Sequence, residues 1–415
     1  MANILYLSYD GLNDPLGKSQ ILPYLEGLAD LGHTITVVGF EKGKKPEGSA
    51  RQTSGKLTTV HLTYHKWPPV LSTLYDLYLL RRLVTKMLNA PVRHATAASQ
   101  IDIVHCRSYV TALIGLWARR RFGVQFVFDM RGFWPDERVE GGVWNLKNPL
   151  FAMIYRYFKR KEKELISEAD AVISLTRNAK KEICTWNFSD VSPKEMLSSD
   201  KISVIPTCAD LDLFSADQVS ISRQCQLRKS LGIEENDRIL LYLGSLGTWY
   251  MLDEMLDFFE VLKVNSGFRF LFVTKDREVL NRALANRHYQ PGEVILTSCD
   301  RQQVPSFISI CHAAIFFIIP TFSKKASAAT KMGEIMAMGK PVITNSGWGD
   351  VDEIIDGENG ILIENLETRY YQKSIARIPL QTDPSKIRQT AIQHFSLQQG
   401  ILDFNRIYER LRNDL

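Results

Sequence analysis

The sequence predicts an α/β protein made of two Rossmann-like, doubly wound domains that face each other across a cleft. The 415 residues exceed the size that a single hydrophobic core usually supports. Short apolar segments alternate with helical segments in both halves, and each half opens with a strand followed by a glycine-containing loop. A composition of 45% hydrophobic and 23% charged residues is typical of a globular protein.

The first half begins with a βαβ unit. Residues 4–7 are predicted as a strand, residues 10–17 as a glycine-rich loop, residues 20–31 as an amphipathic helix and residues 34–40 as a parallel strand. Further strands are predicted at residues 60–64, 103–106, 125–129 and 171–175. The first domain is therefore assigned to residues 1–205 and is interpreted as the acceptor domain.

The second half repeats this pattern after a linker near residues 206–214. A strand at residues 239–243, a loop containing Gly244 and Gly247, a helix at 252–263 and a strand at 268–274 open the second domain. Strands follow at 294–297, 314–318 and 341–344. This domain is assigned to residues 206–392, and a helix at residues 393–415 is predicted to cross back to the first domain.

Composition argues against several other classes. The N-terminus shows no secretory signal, and the longest apolar run, residues 313–319, is far too short to span a bilayer. The six cysteines lack C-x-x-C spacing, which favours reduced thiols and a cytoplasmic protein. The eight histidines show no ligand spacing, so no metal site is predicted.

Charge is unevenly distributed along the chain. Residues 1–205 hold 28 Lys and Arg against 20 Asp and Glu, whereas the remainder holds 23 against 26. The positive half predicts an anionic partner surface. Two basic segments, residues 71–87 and 155–163, are interpreted as solvated helix faces. The alternative is contact with anionic lipid headgroups at the inner face of the membrane; no nucleic-acid partner is predicted.

The first glycine loop differs from a phosphate-binding P-loop. Five residues separate Gly11 from Gly17, and the P-loop motif has four. In the functional interpretation, small residues after the first strand let backbone amides approach a phosphate or a sugar. In the alternative, the glycines only allow a sharp turn. Gly17, Ser245 and Gly247 are the candidate binding residues of the two loops.

The most informative segment is residues 324–345. A small, polar loop opens a helix whose first turn carries Thr330 and Lys331, and a helix N-terminus with a lysine suits a diphosphate. Glu334 follows one turn later, where a carboxylate can accept hydrogen bonds from ribose hydroxyls. The alternative is an ordinary surface helix on which both charges are solvated.

This segment, together with residues 346–360, resembles the signature region of family 4 retaining glycosyltransferases of group 1. Weaker similarities lie in the opening loop and in residues 129–138, 172–183 and 204–212. The resemblance implies a GT-B fold and transfer of a sugar, with retention, from a UDP-type or GDP-type nucleotide sugar to a glycan or lipid-linked acceptor. It implies no metal and no further cofactor, and a role in cell-surface polysaccharide or glycoconjugate synthesis.

The resemblance also implies roles for individual residues. Glu334 matches the second of two family glutamates, which binds the ribose. The first would fall at Ala326, so Ser327 or backbone groups must contact the donor sugar. The family's Arg and Lys clamp on the diphosphate is missing after the strand that opens the second domain. Neutralising the phosphates is assigned instead to Lys331, to loop amides and to Lys324 or Lys325. Lys331 is also a candidate catalytic residue.

The candidate acceptor side lies at residues 129–138. Arg131 resembles a cleft residue of the family that is often His, and it is the second candidate catalytic residue. Asp136, Glu137 and Arg138 are candidates for binding acceptor hydroxyls. The alternative is a surface loop anchored by Trp134.

Two other classes of function stay open. An epimerase or phosphorylase of the same fold would be a different enzyme, and an epimerase would need an extra acid/base pair that the sequence does not reveal. A catalytically silent carbohydrate-binding or assembly subunit is favoured by Ala326 and by the missing clamp.

Overall fold

A computed structural model describes residues 1–43, 52–89, 100–191, 199–264 and 266–414. The chain divides into two compact units, one of Met1–Pro206 with Leu397–Leu415 and one of Thr207–Ser396. Each unit is a largely parallel sheet covered by helices, so the predicted α/β class with two Rossmann-like domains is confirmed. No helix within the described residues is long and apolar enough to cross a membrane.

The sheet of the first unit has eight strands. They are β1 (Asn3–Ser8), β2 (Thr34–Glu41), β3 (Gln52–Ser54), β4 (Leu57–Thr63), β5 (Ile103–Arg107), β6 (Gln125–Asp129), β7 (Ala171–Ser174) and β8 (Ile202–Val204). Their order is β3-β4-β2-β1-β5-β6-β7-β8, and only the β3–β4 pair is antiparallel. β1 is buried along almost its whole length because helices cover a central parallel strand on both sides.

Before residue 206, the described part of this unit contains seven α-helices. They are α1 (Pro15–Gln20), α2 (Leu22–Asp30), α3 (Leu71–Leu88), α4 (Ser108–Phe122), α5 (Trp134–Glu140), α6 (Pro149–Glu168) and α7 (Arg177–Cys184). The helix predicted at residues 20–31 is interrupted at Ile21, and α2 has Pro23 in its first turn. Proline lacks an N–H group and suits the start of a helix better than its interior.

The sheet of the second unit has six parallel strands in the order β11-β10-β9-β12-β13-β14. They are β9 (Arg238–Leu243), β10 (Phe268–Val273), β11 (Val294–Thr297), β12 (Ala313–Ile315), β13 (Val342–Asn345) and β14 (Gly360–Ile363). The strand predicted at 314–318 ends at Ile315, and β14 was not predicted.

Eight α-helices within the described residues accompany this sheet. They are α8 (Ile221–Ser230), α9 (Leu252–Lys263), α10 (Arg277–Leu284), α11 (Val304–Ser309), α12 (Thr330–Ala337), α13 (Val351–Ile354), α14 (Thr368–Ile375) and α15 (Pro384–Phe395). Because the strands are parallel, the loops after β9 and β12 and the start of α12 all lie at the carboxyl edge of the sheet.

The C-terminal segment is two helices rather than the single one predicted at 393–415. α15 ends at Phe395, and α16 (Leu397–Asn413) follows after Ser396. Ser396 has extended backbone and pairs with Ala209, whose N–H donates to the Phe395 carbonyl at 2.7 Å. α16 packs against α2 in the first unit.

Candidate functional site

The glycine loop of the second unit is held in place at both of its ends. Gly244 has φ +109°, a conformation that other residues rarely adopt. The Tyr242 hydroxyl donates to the Ser245 carbonyl, and the Leu246 N–H donates to Asp276 Oδ2 at 2.7 Å. Ser245 and Gly247 are exposed. The loop therefore presents these two predicted residues at the carboxyl edge of the sheet.

The start of α12 is an uncapped helix N-terminus. Ala329 precedes the helix with extended backbone and offers no side-chain cap, and Thr330 is the first helical residue. The N–H groups of a first helical turn have no partner within the helix and carry the positive end of its dipole. Thr330 and the nearby Ser327 are partly exposed. This helix start can therefore receive an anion.

Lys331 reaches from this helix to the glycine loop. Its Nζ lies 3.8 Å from the ring centroid of Tyr250, 4.5 Å from that of Tyr242 and 5.5 Å from that of Phe316. A Cβ added to Gly244 would lie 3.3 Å from the same nitrogen. The side chain thus lies inside a cage of aromatic faces directly beside the loop.

The ammonium group of Lys331 is buried and has no hydrogen-bond partner among the described residues. Burial lowers the pKa of Lys331 to about 7, although the charge of Glu334 acts in the opposite direction. Cation–π attraction to the three rings offsets part of the desolvation but supplies no hydrogen bond. A phosphate oxygen would give this nitrogen the charged hydrogen-bond partner that it lacks.

Glu334 is buried one turn further along α12. Its Oε1 accepts a hydrogen bond from Arg301 Nη1 at 2.7 Å, and the Arg301 guanidinium lies over the ring of Phe214. Burial raises the pKa of Glu334, while Arg301 acts to lower it. Arg301 therefore holds the carboxylate in one orientation, and sequence reasoning did not find this partner.

Lys324 adds a second cation at this edge. Its Nζ lies 3.6 Å from the ring centroid of Trp249, the residue that follows the glycine loop. Ala326, at the position where the family has the first of its two glutamates, is buried. The sequence shows Trp249 and Tyr250 after the glycine loop, but their contacts with Lys324 and Lys331 were not predicted.

In the first unit, Arg131 belongs to a buried charged cluster at the ends of β5 and β6. Its Nη1 lies 3.7 Å from Oδ1 of Asp129, while Arg107 Nη1 and His105 Nε2 lie 3.8 Å and 3.6 Å from Oδ2. Neither Asp129 oxygen has a hydrogen-bond partner within the part of the chain that the structure describes. Although burial alone would raise it, the pKa of Asp129 is lowered by Arg131 and its neighbours.

The backbone at Arg131 and Gly132, directly after β6, has an unusual conformation. Arg131 has φ +56°, and Gly132 follows with φ +125°. The Tyr109 hydroxyl donates toward the Gly132 carbonyl at 3.1 Å and also contacts Glu162. Burial raises the pKa of Glu162 to about 6. Tyr109 and Glu162 are supporting residues that sequence reasoning missed.

The three predicted acceptor residues differ in their surroundings. Asp136 is buried, and its carboxylate accepts from the Tyr155 hydroxyl and from Lys159 Nζ, each at 2.8 Å. Glu137 and Arg138 are partly exposed, and Arg138 lies over the Trp134 ring. Each Asp136 oxygen therefore already accepts one hydrogen bond from within the first unit.

Gly17 has a structural reason to be glycine. A Cβ there would lie 2.3 Å from the Gly11 carbonyl oxygen and 2.5 Å from that of Leu12. In the same loop, Glu41 Oε1 accepts from the N–H groups of Leu12 and Asn13 at 2.8 and 3.3 Å. An internal carboxylate thus already pairs with two of the amides of this loop.

The comparisons with known proteins agree with this architecture. Residues 19–193 match the family model of the glycosyl transferase 4-like domain, and residues 224–393 match that of glycosyl transferases group 1. No curated protein matches the chain.

Three solved structures show the same fold at low identity. A sucrose-phosphate synthase from Thermosynechococcus elongatus has a TM-score of 0.73 at 14% identity, with 100% of both chains covered. A glycosyltransferase from Rickettsia africae has 0.69 at 18%, covering 99% of this chain and 98% of its own. Anabaena HepE, solved with UDP and glucose, has 0.65 at 14%, covering 99% and 100%.

The two sheets and these similarities define a glycosyltransferase of the GT-B fold. The chain belongs to the group 1 glycosyltransferases, and the resemblance seen in its sequence is confirmed.

Proposed function

We propose that the chain transfers a sugar from a nucleotide diphosphate sugar to a hydroxyl group of a glycan or lipid-linked acceptor, with retention of the anomeric configuration. The observation that carries this proposal is the start of α12. An uncapped helix N-terminus, a buried ammonium without a hydrogen-bond partner in the described chain and an oriented carboxylate lie within one helical turn.

Each part of this site suits one part of a donor. The first-turn N–H groups, Lys331 and the loop amides after β9 suit the diphosphate. Glu334 suits the ribose hydroxyls, and Ser327 suits the sugar because Ala326 cannot form a hydrogen bond through its side chain. The proposed donor-binding residues of the second unit are Ser245, Gly247, Ser327, Thr330, Lys331 and Glu334.

The chemical task is to stabilise the leaving group. The bond between the sugar's anomeric carbon and the diphosphate oxygen breaks, and a bond from the acceptor oxygen to that carbon forms. The diphosphate takes the electron pair, and its departing oxygen accepts the proton that the acceptor hydroxyl releases. A protonated Lys331 and the helix dipole offset the growing negative charge. The family resemblance supports departure of the diphosphate from the same face that the acceptor attacks.

The donor is proposed to be a UDP-type or GDP-type hexose. HepE, which shares the fold, was solved with UDP-glucose, and this makes UDP the first nucleotide to test. The proposed setting is cell-surface polysaccharide or glycoconjugate synthesis on the cytoplasmic side of the membrane, supported by the net positive first half of the chain.

A catalytically silent binding or assembly subunit is the second candidate. Ala326 is 1% exposed at the position where the family carries its sugar-binding glutamate. The site could then bind a nucleotide without turning it over.

A turnover assay separates the two candidates. The full chain is incubated with UDP-, GDP- and dTDP-sugars, with and without membrane and glycan extracts, and the release of nucleotide diphosphate is measured. The transferase proposal predicts release that depends on the acceptor and a product with the donor's anomeric configuration. Binding of nucleotide without release under every condition would contradict it and support the silent subunit.

A further inference from the structure

Exposed apolar side chains are concentrated on one part of the first unit. Twenty large apolar residues are exposed within the described chain, and ten of them lie between residues 67 and 78 or between 143 and 157. These ten, which we call the apolar patch, are Trp67, Leu71, Leu74, Tyr75, Tyr78, Val143, Leu146, Leu150, Met153 and Tyr157. Clustering of this kind marks an interaction surface, whereas single exposed apolar residues do not.

The topology brings both segments to the same end of the first unit. α3 leads from β4 to β5 and α6 leads from β6 to β7, so both helices begin at the carboxyl edge of a parallel sheet. Both helices also pack against α4. Their N-terminal turns, which carry most of the apolar patch, therefore flank α4 on the same side of the unit.

The outward orientation of α3 is fixed by a buried acid. Asp76 is fully buried and accepts hydrogen bonds from the Tyr9 hydroxyl at 2.8 Å and from the His65 ring at 2.5 Å. This anchor turns the opposite face of α3 outward, so that its exposed stripe begins with apolar residues and continues into basic ones. The stripe consists of Leu71, Leu74, Tyr75, Tyr78, Arg81, Arg82 and Lys86.

The exposed charges in the two segments that carry the apolar patch are positive. Residues 66–88 and 143–161 contain nine Lys and Arg and one acid, the buried Asp76. Arg82, Lys86, Arg156 and Arg160 form no ion pair with any residue that the structure describes. On α6, Arg156 and Arg160 alternate with the exposed Leu150, Met153 and Tyr157. Aromatic residues, methionine and arginine are also enriched at protein–protein interfaces. An exposed apolar stripe that continues into unpaired positive charge is, however, the pattern of a helix that lies on an anionic lipid surface.

We propose that the apolar patch and its basic rim form a docking face for a bilayer that contains anionic lipids. Leucine, methionine, tryptophan and tyrosine side chains enter the interfacial layer, and arginine and lysine contact lipid phosphates. This inference rests on the lipid-linked branch of the proposed function, since an acceptor in the bilayer must be reached from its surface. It also replaces the interpretation of these segments as simply solvated helix faces.

Vesicle flotation of the full chain tests the docking face. Phosphatidylcholine vesicles are compared with vesicles that also contain phosphatidylglycerol, and the expected affinity is at least about tenfold higher for the second. The L74S/Y78S and R82Q/R160Q variants should each lose about tenfold or more of that affinity. I221S, in which a still more exposed apolar residue of the second unit is changed, is the control and should bind as the wild type does.

Fluorescence locates the contact. Quenching by brominated lipids should report Trp67, which is 76% exposed, and W67F should remove that quenching while vesicle binding persists. Equal binding of the patch variants and the control, or no preference for anionic vesicles, would overturn the docking face. A face that binds only protein would show no preference for anionic vesicles. Calorimetry of UDP binding without vesicles keeps the two proposals apart. The patch variants should bind UDP as the wild type does, whereas a wild-type protein that does not bind UDP would contradict only the donor site.

Discussion

At the scale of single residues, the buried ammonium group of Lys331 is expected to reduce folding stability. Its Nζ has no hydrogen-bond partner among the described residues, and the faces of Tyr242, Tyr250 and Phe316 offset only part of the desolvation. A neutral side chain of similar length would fill the same space without that cost. The presence of lysine there is explained if an anion binds beside it.

Replacing Lys331 by methionine should therefore separate stability from function. We expect K331M to raise the free energy of unfolding by roughly 2–4 kcal/mol at pH 7 and to weaken UDP binding at least about tenfold. Denaturant unfolding and calorimetry measure the two effects. K373M, which removes an exposed lysine from α14, should change neither. A destabilised K331M protein would contradict the account.

The pH dependence of stability follows from the same group. Burial lowers the pKa of Lys331 from 10.5 to about 7, so between these values the unfolded chain binds a proton that the folded chain has lost. This contribution makes wild-type stability rise with pH across that window, and K331M should lack this rise.

Binding of UDP requires the charged form of Lys331, so the affinity for UDP should weaken as pH rises above 7. In K331R the charge persists, so its UDP affinity should stay level between pH 7 and 9.

The role of Glu334 can be tested on the ligand as well as on the protein. E334A should weaken UDP binding by about 1–3 kcal/mol, because hydrogen bonds to a charged group are lost. It should leave binding of 2′,3′-dideoxy-UDP unchanged, since that nucleotide lacks both ribose hydroxyls. E358A removes an exposed carboxylate from the same unit and serves as the control. An equal loss for both nucleotides would refute the ribose assignment.

At the scale of elements, the position of α12 depends on its contact with α15. A Cβ on Gly333 would lie 2.7 Å from Cβ of Phe395 and 3.4 Å from Cβ of Ala209. We therefore expect G333A to lower the free energy of unfolding by about 1–3 kcal/mol, the usual cost of overpacking. G247A, where an added Cβ meets nothing within 4 Å, should leave stability unchanged in the same denaturant titration. Equal stability of both variants would show that α12 can shift without cost.

Much of this layout could be predicted from the sequence. The strands adjoining both glycine loops and the helix at 252–263 agree with the structure to within a residue or so, because their apolar periodicity is strong. β14 has only four residues, too few for a periodic signal. The break between α15 and α16 depends on the pairing of Ser396 with Ala209, which lies far away in the sequence.

The side-chain arrangements were harder to predict because they depend on tertiary contacts. The sequence showed Lys331 next to a helix start but could not show that Tyr250 and Tyr242 would enclose it. Residues 71–87 were interpreted as a solvated helix face, but the sequence could not show that Asp76 turns inward while the apolar residues of α3 are exposed. Asp136 was predicted to bind an acceptor hydroxyl, and its burial beside Tyr155 and Lys159 was not foreseen.

At the scale of the whole molecule, the two halves of the chain differ in charge and in proposed task. The first half is net positive and carries the apolar patch, and the second half is slightly negative and carries the proposed donor site. A positive surface concentrates anionic lipids within a Debye length, so docking should weaken as salt increases. Donor binding to the buried Lys331 ammonium group and the buried Glu334 should depend less on salt.

The most direct test of the donor site is a crystal structure of the protein with UDP. We predict the diphosphate at the first turn of α12, within hydrogen-bond distance of Lys331 Nζ, and the ribose hydroxyls on Glu334. Diphosphate bound elsewhere, with Lys331 still enclosed by its aromatic cage, would contradict the account.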